Sequence, residues 1–357
     1  MSKQAKIGVV GWLFHWDNEY AVTTAACDVN EAKLAQFKAE HPEVETYTDY
    51  KQMATEAGLD AVVISTPNWL HREMAEFCMR AGLDVFLEKP MGVNKQEIDS
   101  VVRVQQETGK ICAIDFELRV SPSFARIREL IAAGEIGEPR GIEFVHHRGG
   151  WIARGNCAWR TDPTISGGLF FMEICHEVDI YRQLMGEITH VQSFSHPNLL
   201  PQYRGMPDNV VTHLWFEGGR RGTILASHTS STWNPGGIET YADLGHDMYM
   251  IITGSEGALR IECIRDKILV MRYGEYHPDL PMGKRVEFVR LEDYSTVPAF
   301  AHDITANHMA FLKAVATGTA HHQSTEDAWR THVACLAAEQ SALEDSPKME
   351  IDYSLGE

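Results

Sequence analysis

The sequence predicts an α/β protein of two domains: a Rossmann-type doubly wound parallel sheet, then an α+β domain built on a large, mostly antiparallel open sheet. Three observations carry this expectation. A chain of 357 residues exceeds what a single hydrophobic core usually supports. Its first 115 residues alternate short apolar runs with amphipathic stretches of helical length. Beyond Arg119 the texture changes to longer β segments, joined by turns such as EGGRRG and GSEG.

In order along the first region, strands are expected at Ala5–Val10, Thr23–Cys27, Ala61–Ser65, Asp84–Leu87 and Lys110–Ile114. Helices are expected between them at Asn30–Glu40, Asp49–Glu56, Leu70–Ala81 and Lys95–Gln106. Short continuous apolar strands alternating with helices indicate a parallel sheet covered on both faces. Past a boundary near residue 119, dividing 1–119 from 120–357, one helix (Ser123–Ala133) leads into a run of strands. These are Gly141–His147, Val191–His196, Asn209–Phe216, Gly222–His228, Met248–Thr253, Ala258–Cys263, Lys267–Arg272 and Val286–Leu291. Helices at Leu169–Leu184, Asp303–Thr317 and Thr325–Leu343 complete the second region.

Bulk properties exclude several function classes. The net charge of −18, from 50 acidic and 32 basic residues, repels phosphate backbones and anionic lipid, so neither nucleic acid nor a membrane is an expected partner. No apolar run approaches the roughly 18 residues a bilayer span requires. The opening segment MSKQAKIGVVG shows no export-signal pattern, and the seven cysteines are scattered without a CxxC pair. A reducing cytoplasm is the expected location. An exposed face on the second sheet would need covering, so a homo-oligomer, dimer or tetramer, is expected.

The candidate chemistry lies at the carboxyl ends of the first-region strands, where open α/β sheets bind ligands. The first turn, Gly8-Val9-Val10-Gly11-Trp12-Leu13-Phe14-His15, keeps Gly11 for the tight turn but places bulky side chains where a pyrophosphate would approach. Only 17 residues separate Gly11 from Asp28, which leaves room for a first helix of little more than two turns. Asp28 ends the second strand, where an acid can accept hydrogen bonds from the ribose hydroxyls of NAD; it is equally suited to capping the next helix. Ser65-Thr66-Pro67-Asn68, with His71, follows the third strand, and Glu88-Lys89-Pro90 follows the fourth. Lys89 emerges from an apolar strand beside a proline, so desolvation should lower its pKa and let it serve a substrate oxygen; an ion pair with Glu88 is the structural alternative.

The second region offers Trp159-Arg160, Gly167-Gly168 and Glu173-Ile174-Cys175-His176-Glu177-Val178-Asp179. At helical spacing Glu173, His176 and Asp179 share a face, and a histidine bracketed by carboxylates suits general-base work. Arg119, Arg148, Trp151, Trp159 and Arg160 are candidates for lining a sugar pocket, through aromatic packing on C–H faces and guanidinium contacts to oxygens. His146, His147, His213 and His228 all fall on expected strands. Adjacent histidines on a strand project to opposite faces, so no metal site is expected.

Taken together, Thr66-Pro67-Asn68 with His71, Glu88-Lys89-Pro90, Trp159-Arg160 with Gly167-Gly168, and His176 with Asp179 resemble the glucose–fructose oxidoreductase/inositol dehydrogenase/rhizopine-catabolism (Gfo/Idh/MocA) family over nearly the whole chain. The resemblance implies hydride transfer between NAD or NADP and a secondary alcohol or ketone of a sugar, cyclitol or related polyhydroxy compound. By position it implies that Lys89 binds the reacting oxygen, that Pro90 shapes the loop beside the nicotinamide, and that His176 relays the proton. Two departures stand out: roughly eight residues and two glycines fewer at the glycine-rich turn, and Met172 where many members carry aspartate, with Glu173 one residue later. The altered turn leaves two rival readings. One is a non-redox lyase or hydrolase using the same Lys89–His176 site; the other is a ligand sensor built on a decayed dehydrogenase.

Overall fold

The computed structural model describes residues 4–147, 155–229, 247–262, 267–273, 286–293 and 304–356. The first sheet has six parallel strands: β1 (Ala5–Gly11), β2 (Ala21–Cys27), β3 (Glu45–Tyr47), β4 (Ala61–Ser65), β5 (Asp84–Leu87) and β6 (Cys112–Ile114). Their spatial order, β3-β2-β1-β4-β5-β6, reverses direction between β1 and β4. That switch point opens a crevice beyond the strand ends. Helices α1 (Glu31–Glu40), α2 (Tyr50–Glu56), α3 (His71–Arg80) and α4 (Lys95–Thr108) connect the strands. The central strands are buried on both faces: Ile7, Val9, Val62, Ile64, Val85 and Leu87 are all sealed from solvent.

One expected element is missing. No helix lies between β1 and β2, and the chain crosses back through residues 12–20 as an irregular segment. The reason is length. A seven-residue strand spans about 20 Å, whereas nine residues wound into a helix would cover only about 13 Å. The segment is tied down instead by Thr23 Oγ1, which accepts the Trp16 amide at 2.7 Å, and by Asn18 Oδ1, which accepts the Tyr20 and Ala21 amides. Leu13, Phe14 and Trp16 pack on the sheet face that the helix would have covered. A helix from far along the chain, α8 (Ile304–Thr317), joins them there through Phe311 and Leu312, and the Trp16 ring stacks on His308 at 4.9 Å.

After α5 (Pro122–Ala132) comes a nine-stranded sheet. Its strands are β7 (Pro139–His147), β8 (Ile188–Ser195), β9 (Asn209–Phe216), β10 (Arg221–Ser227), β11 (Asp247–Gly254), β12 (Gly257–Glu262), β13 (Lys267–Tyr273), β14 (Val286–Asp293) and β15 (Met349–Glu350). The spatial order is β14-β13-β12-β11-β7-β10-β9-β8-β15; β7 and β10 run parallel and every other pairing is antiparallel. The short helix α6 (Pro163–Ser166), the long α7 (Cys175–Met185) and α9 (Thr325–Leu343) fill the space between this sheet and the first. Tyr181 of α7 and Trp329 of α9 are buried in that core. The short edge strands β3 and β15 escape sequence reading because neither carries the apolar alternation of a longer strand.

Candidate active site

The loops after β4 and β5 meet through one imidazole. His71, at the start of α3, is fully buried, with Nδ1 2.6 Å from the carbonyl of Pro90 and Nε2 2.7 Å from the carbonyl of Thr66. Burial lowers its pKa and the two carbonyls oppose that shift. The Lys89–Pro90 peptide is cis. The Asn68 amide reaches across to the second region and donates to the Ser166 carbonyl at 2.7 Å and to Met172 Sδ at 3.0 Å. Asn68 thus ties the first sheet's loop to the turn preceding α7.

Lys89 stands at the carboxyl end of β5 and donates to the Met172 carbonyl at 2.6 Å. That carbonyl belongs to a π-helical turn, Phe170–Ile174, which widens the helix just before α7; such turns recur at functional sites. The expectation of a lowered lysine pKa is corrected here. Burial pulls it down, but Cys175, Glu173, Glu88 and Glu117 around it outweigh burial and raise it. The group is a fixed ammonium, a donor and an electrostatic clamp, not a base. Its neighbour Glu88 moves the other way from an ordinary carboxyl: burial and the nearby Glu117 push it up, against the pull of Lys89. Asp115, which accepts from Asn307 Nδ2 at 2.9 Å, is raised well above the carboxylate range by burial and by Glu88.

Glu173, His176 and Asp179 each have a neighbour outside the trio: Glu173 lies beside His146 and His228, His176 beside Glu117 and Asp179 beside Arg119. Glu173 lies within the π turn Phe170–Ile174, and His176 and Asp179 lie in α7. His176 pairs with Glu117, Nδ1 to Oε2 3.5 Å, both residues buried. Glu117 lies in the 3₁₀ turn after β6, and sequence reading missed it. The available signal was an acid at the carboxyl end of a parallel strand. Asp179 accepts two bonds from Arg119, Nε at 2.6 Å and Nη2 at 2.5 Å, and one from Thr331 Oγ1 at 2.7 Å. Arg119 also pairs with Asp327, which in turn holds Arg182. Arg119 and Asp179, expected in substrate binding and catalysis, are thus taken up by each other in a buried ion pair. Glu117 thus sits against His176 and is also one of the acids whose field raises Lys89.

At the cofactor crevice Gly11 has φ +87°, and a Cβ there would sit 2.3 Å from the Ser65 carbonyl. Only glycine fits that turn, whose next amide, Trp12 N, donates to the same carbonyl at 3.0 Å. Trp12 itself is 68% exposed. Gly8 is a packing residue, since a Cβ there would meet Leu59 and Met53. Asn30, not Asp28, caps α1, accepting the amides of Ala32 and Lys33. This leaves the Asp28 carboxylate at the end of β2, where it takes the Asn30 amide at 2.9 Å and the Lys33 ammonium at 2.7 Å. Lys33 Nζ also lies 2.6 Å from the Gly11 carbonyl. An acid at the end of β2 and a tight glycine turn after β1 thus lie at the crevice. No first helix points its positive end at this turn; the Lys33 ammonium lies beside it.

Gly168 has φ +94° and abuts Glu339, whose Oε2 accepts the Phe170 amide at 2.9 Å at the start of the π turn. Trp159 meets Trp69 edge-to-face at 5.1 Å, and the Arg160 guanidinium lies 5.5 Å from the Trp159 ring centre. Arg148 and Trp151 lie outside the described residues. His213 is exposed and bonds Thr223 Oγ1 at 3.2 Å. Against the expectation of no metal-like grouping, His146 and His228 fall on one face of the second sheet, together with Glu173.

A reversing parallel sheet with an acid at the end of β2, and a lysine at the end of β5 bonded to the turn before α7, mark a dinucleotide-binding α/β oxidoreductase. More particularly, the chain belongs to the Gfo/Idh/MocA family. Residues 8–116 match its "Oxidoreductase family, NAD-binding Rossmann fold" and residues 124–260 its "GFO/IDH/MocA C-terminal domain". Among curated relatives, a scyllo-inositol 2-dehydrogenase (NAD(+)) of Bacillus subtilis (strain 168) is 29% identical over 268 residues, 73% of this chain and 70% of that protein. A Myo-inositol 2-dehydrogenase of Thermotoga maritima is 24% identical over 371 residues, covering 98% of this chain and 100% of that protein. The fold is shared with a levoglucosan dehydrogenase solved with NADH and levoglucosan, at 19% identity and TM-score 0.79, over 99% of this chain and 100% of that one.

Proposed function

We propose that this protein catalyses reversible hydride transfer between NAD and a secondary alcohol of a cyclitol or sugar bound between residues 1–119 and 120–357. The observation that carries this reading is Lys89 at the carboxyl end of β5, bonded to the Met172 carbonyl in the turn that leads into α7, the helix of His176, with Glu117 against the His176 ring. NAD held at the strand ends beside Gly11 and Asp28 would supply the hydride acceptor and donor. Lys89, held as an ammonium, donates to the reacting oxygen and limits the charge that develops on it. Glu117 orients the His176 ring from Nδ1, so the proton exchanged with the substrate hydroxyl passes through Nε2. Met172 sets the height of Lys89 by accepting one of its three N–H bonds. In this reading Trp159 and Arg160 bound the substrate, one packing on C–H faces and the other reading hydroxyls. Asp28 favours NAD over NADP, because a carboxylate at that strand end repels a 2′-phosphate.

Support for a homo-oligomer, dimer or tetramer, comes from the large apolar side chains Phe194 and Leu225, 42% and 36% exposed on the second sheet. Cys27, Cys78, Cys112, Cys175 and Cys335 are buried free thiols, which suits the reducing cytoplasm. Titration of the protein with NAD+ and NADH, followed by oxidation assays on inositols and aldoses, tests the reading. Lys89→Met is expected to lower kcat by 10²–10⁴-fold while leaving nucleotide affinity within a fewfold. If no nucleotide binds, and none is released on denaturation, the proposal falls.

A further inference from the structure

Three side chains from three elements meet on the inner face of the second sheet. They are His146 near the end of β7, His228 one residue past β10, and Glu173 in the π turn. Parallel pairing sets His146 opposite Ala226, so His228, two residues further on, projects to the same face. A nitrogen of each imidazole and a carboxylate oxygen of Glu173 lie within 4.8 Å of one another, and all three residues are buried. The two rings lie nearly parallel, at 28°, with centres 6.2 Å apart.

The rings are held from behind. His146 Nδ1 is 2.9 Å from Glu177 Oε1, and His228 Nδ1 is 2.7 Å from the Tyr203 hydroxyl. With Nδ1–H donating to the Glu177 carboxylate, the lone pair of His146 is on Nε2. That nitrogen is buried and accepts no hydrogen bond among the described residues. Buried polar atoms rarely go unmatched. A carboxylate or hydroxyl on the far nitrogen is the arrangement that fixes a metal-binding imidazole in tautomer and direction.

We infer that His146, His228 and Glu173 form a binding site for a divalent first-row transition ion of the Zn2+ type. Two imidazoles and one carboxylate suit such an ion and leave coordination positions open. Bonds of about 2.1 Å in a tetrahedron put donors about 3.4 Å apart. A contraction of less than about 1 Å per side chain from the present spacing would close the site. The pairing was hidden in the sequence because His146 and His228 are far apart in the chain, and because Glu173 reads as a partner of His176.

The site also adjoins the cleft. Glu173 follows Met172, whose carbonyl holds Lys89, and precedes His176 by one helical turn. Its ion binding requires neither nucleotide nor substrate, so it can be tested independently of the redox reading. Protein stripped with EDTA and titrated with Co2+ is expected to develop saturable d–d absorption at one ion per chain. X-ray absorption at the cobalt edge should show two imidazole nitrogens. Glu173→Gln and His146→Ala are expected to weaken Co2+ binding at least tenfold, and His213→Ala to leave it unchanged. NADH binding, measured on the same stripped samples, is expected to persist. Absence of a saturable band in the wild-type chain overturns the site, as does a band without imidazole signals or one untouched by Glu173→Gln. The wild-type measurements decide the matter if either variant fails to fold. Loss of NADH binding from all samples would count against the redox reading alone.

Discussion

Replacing Asp179 with asparagine separates a structural carboxylate from a catalytic one. Asp179 is 1% exposed and Arg119 6%, and they share two short bonds. Removing one partner of a buried ion pair costs about 3–5 kcal/mol, because the remaining charge stays desolvated. Asparagine keeps the shape and one acceptor oxygen, and Arg119 retains Asp327, so a loss near about 3 kcal/mol is expected. In a domain of this size that corresponds to a Tm lower by roughly 6–12 °C. Well below the new Tm, kcat should remain within a fewfold of wild type, since His176 takes its carboxylate from Glu117. The assay is thermal unfolding together with initial rates on one set of samples, with Arg119→Met and the double variant completing a cycle. A kcat loss of 10²-fold or more with Tm unchanged would refute the reasoning and return Asp179 to catalysis.

Two further outcomes are expected. Lys33→Ala removes the ammonium beside the Gly11 turn, so the dissociation constant for NADH should rise severalfold to tenfold, and wild-type affinity should fall with added salt; equal affinities at all salt concentrations would dismiss Lys33 as a phosphate partner. Glu339, pushed by burial to about 7 although the Phe170 and Leu169 amides oppose it, holds its proton in the folded chain while the unfolded chain ionises near 4.5. The native state therefore binds more protons between those values, and stability falls as pH rises through that window. Glu339→Gln abolishes this contribution, so the variant should gain about 3 kcal/mol on wild type between pH 4.5 and 7.5 by denaturant unfolding. A gap that stays constant with pH would contradict the burial argument.

Periodicity and turn chemistry were enough to locate nearly every long element, because each depends on contacts between residues a few positions apart. The strands at Ala61–Ser65 and Asp84–Leu87 and the helix Thr325–Leu343 coincide with their sequence-based limits. The marks around Lys89 and His176 were equally legible, as residue types placed at strand ends and on one helix. Which group faces which was decided only by tertiary structure. Arg119 and Asp179, Glu117 and His176, and His146 and His228 are distant in sequence, and local spacing carries no information about partners brought together by packing. Glu173 came to lie beside two histidines of the second sheet, and a nine-residue crossover too short for a helix left its sheet face to α8. Charge, register and length each constrain the chain locally, but the identity of a buried ion's partner is settled only when the two sheets close on the same core.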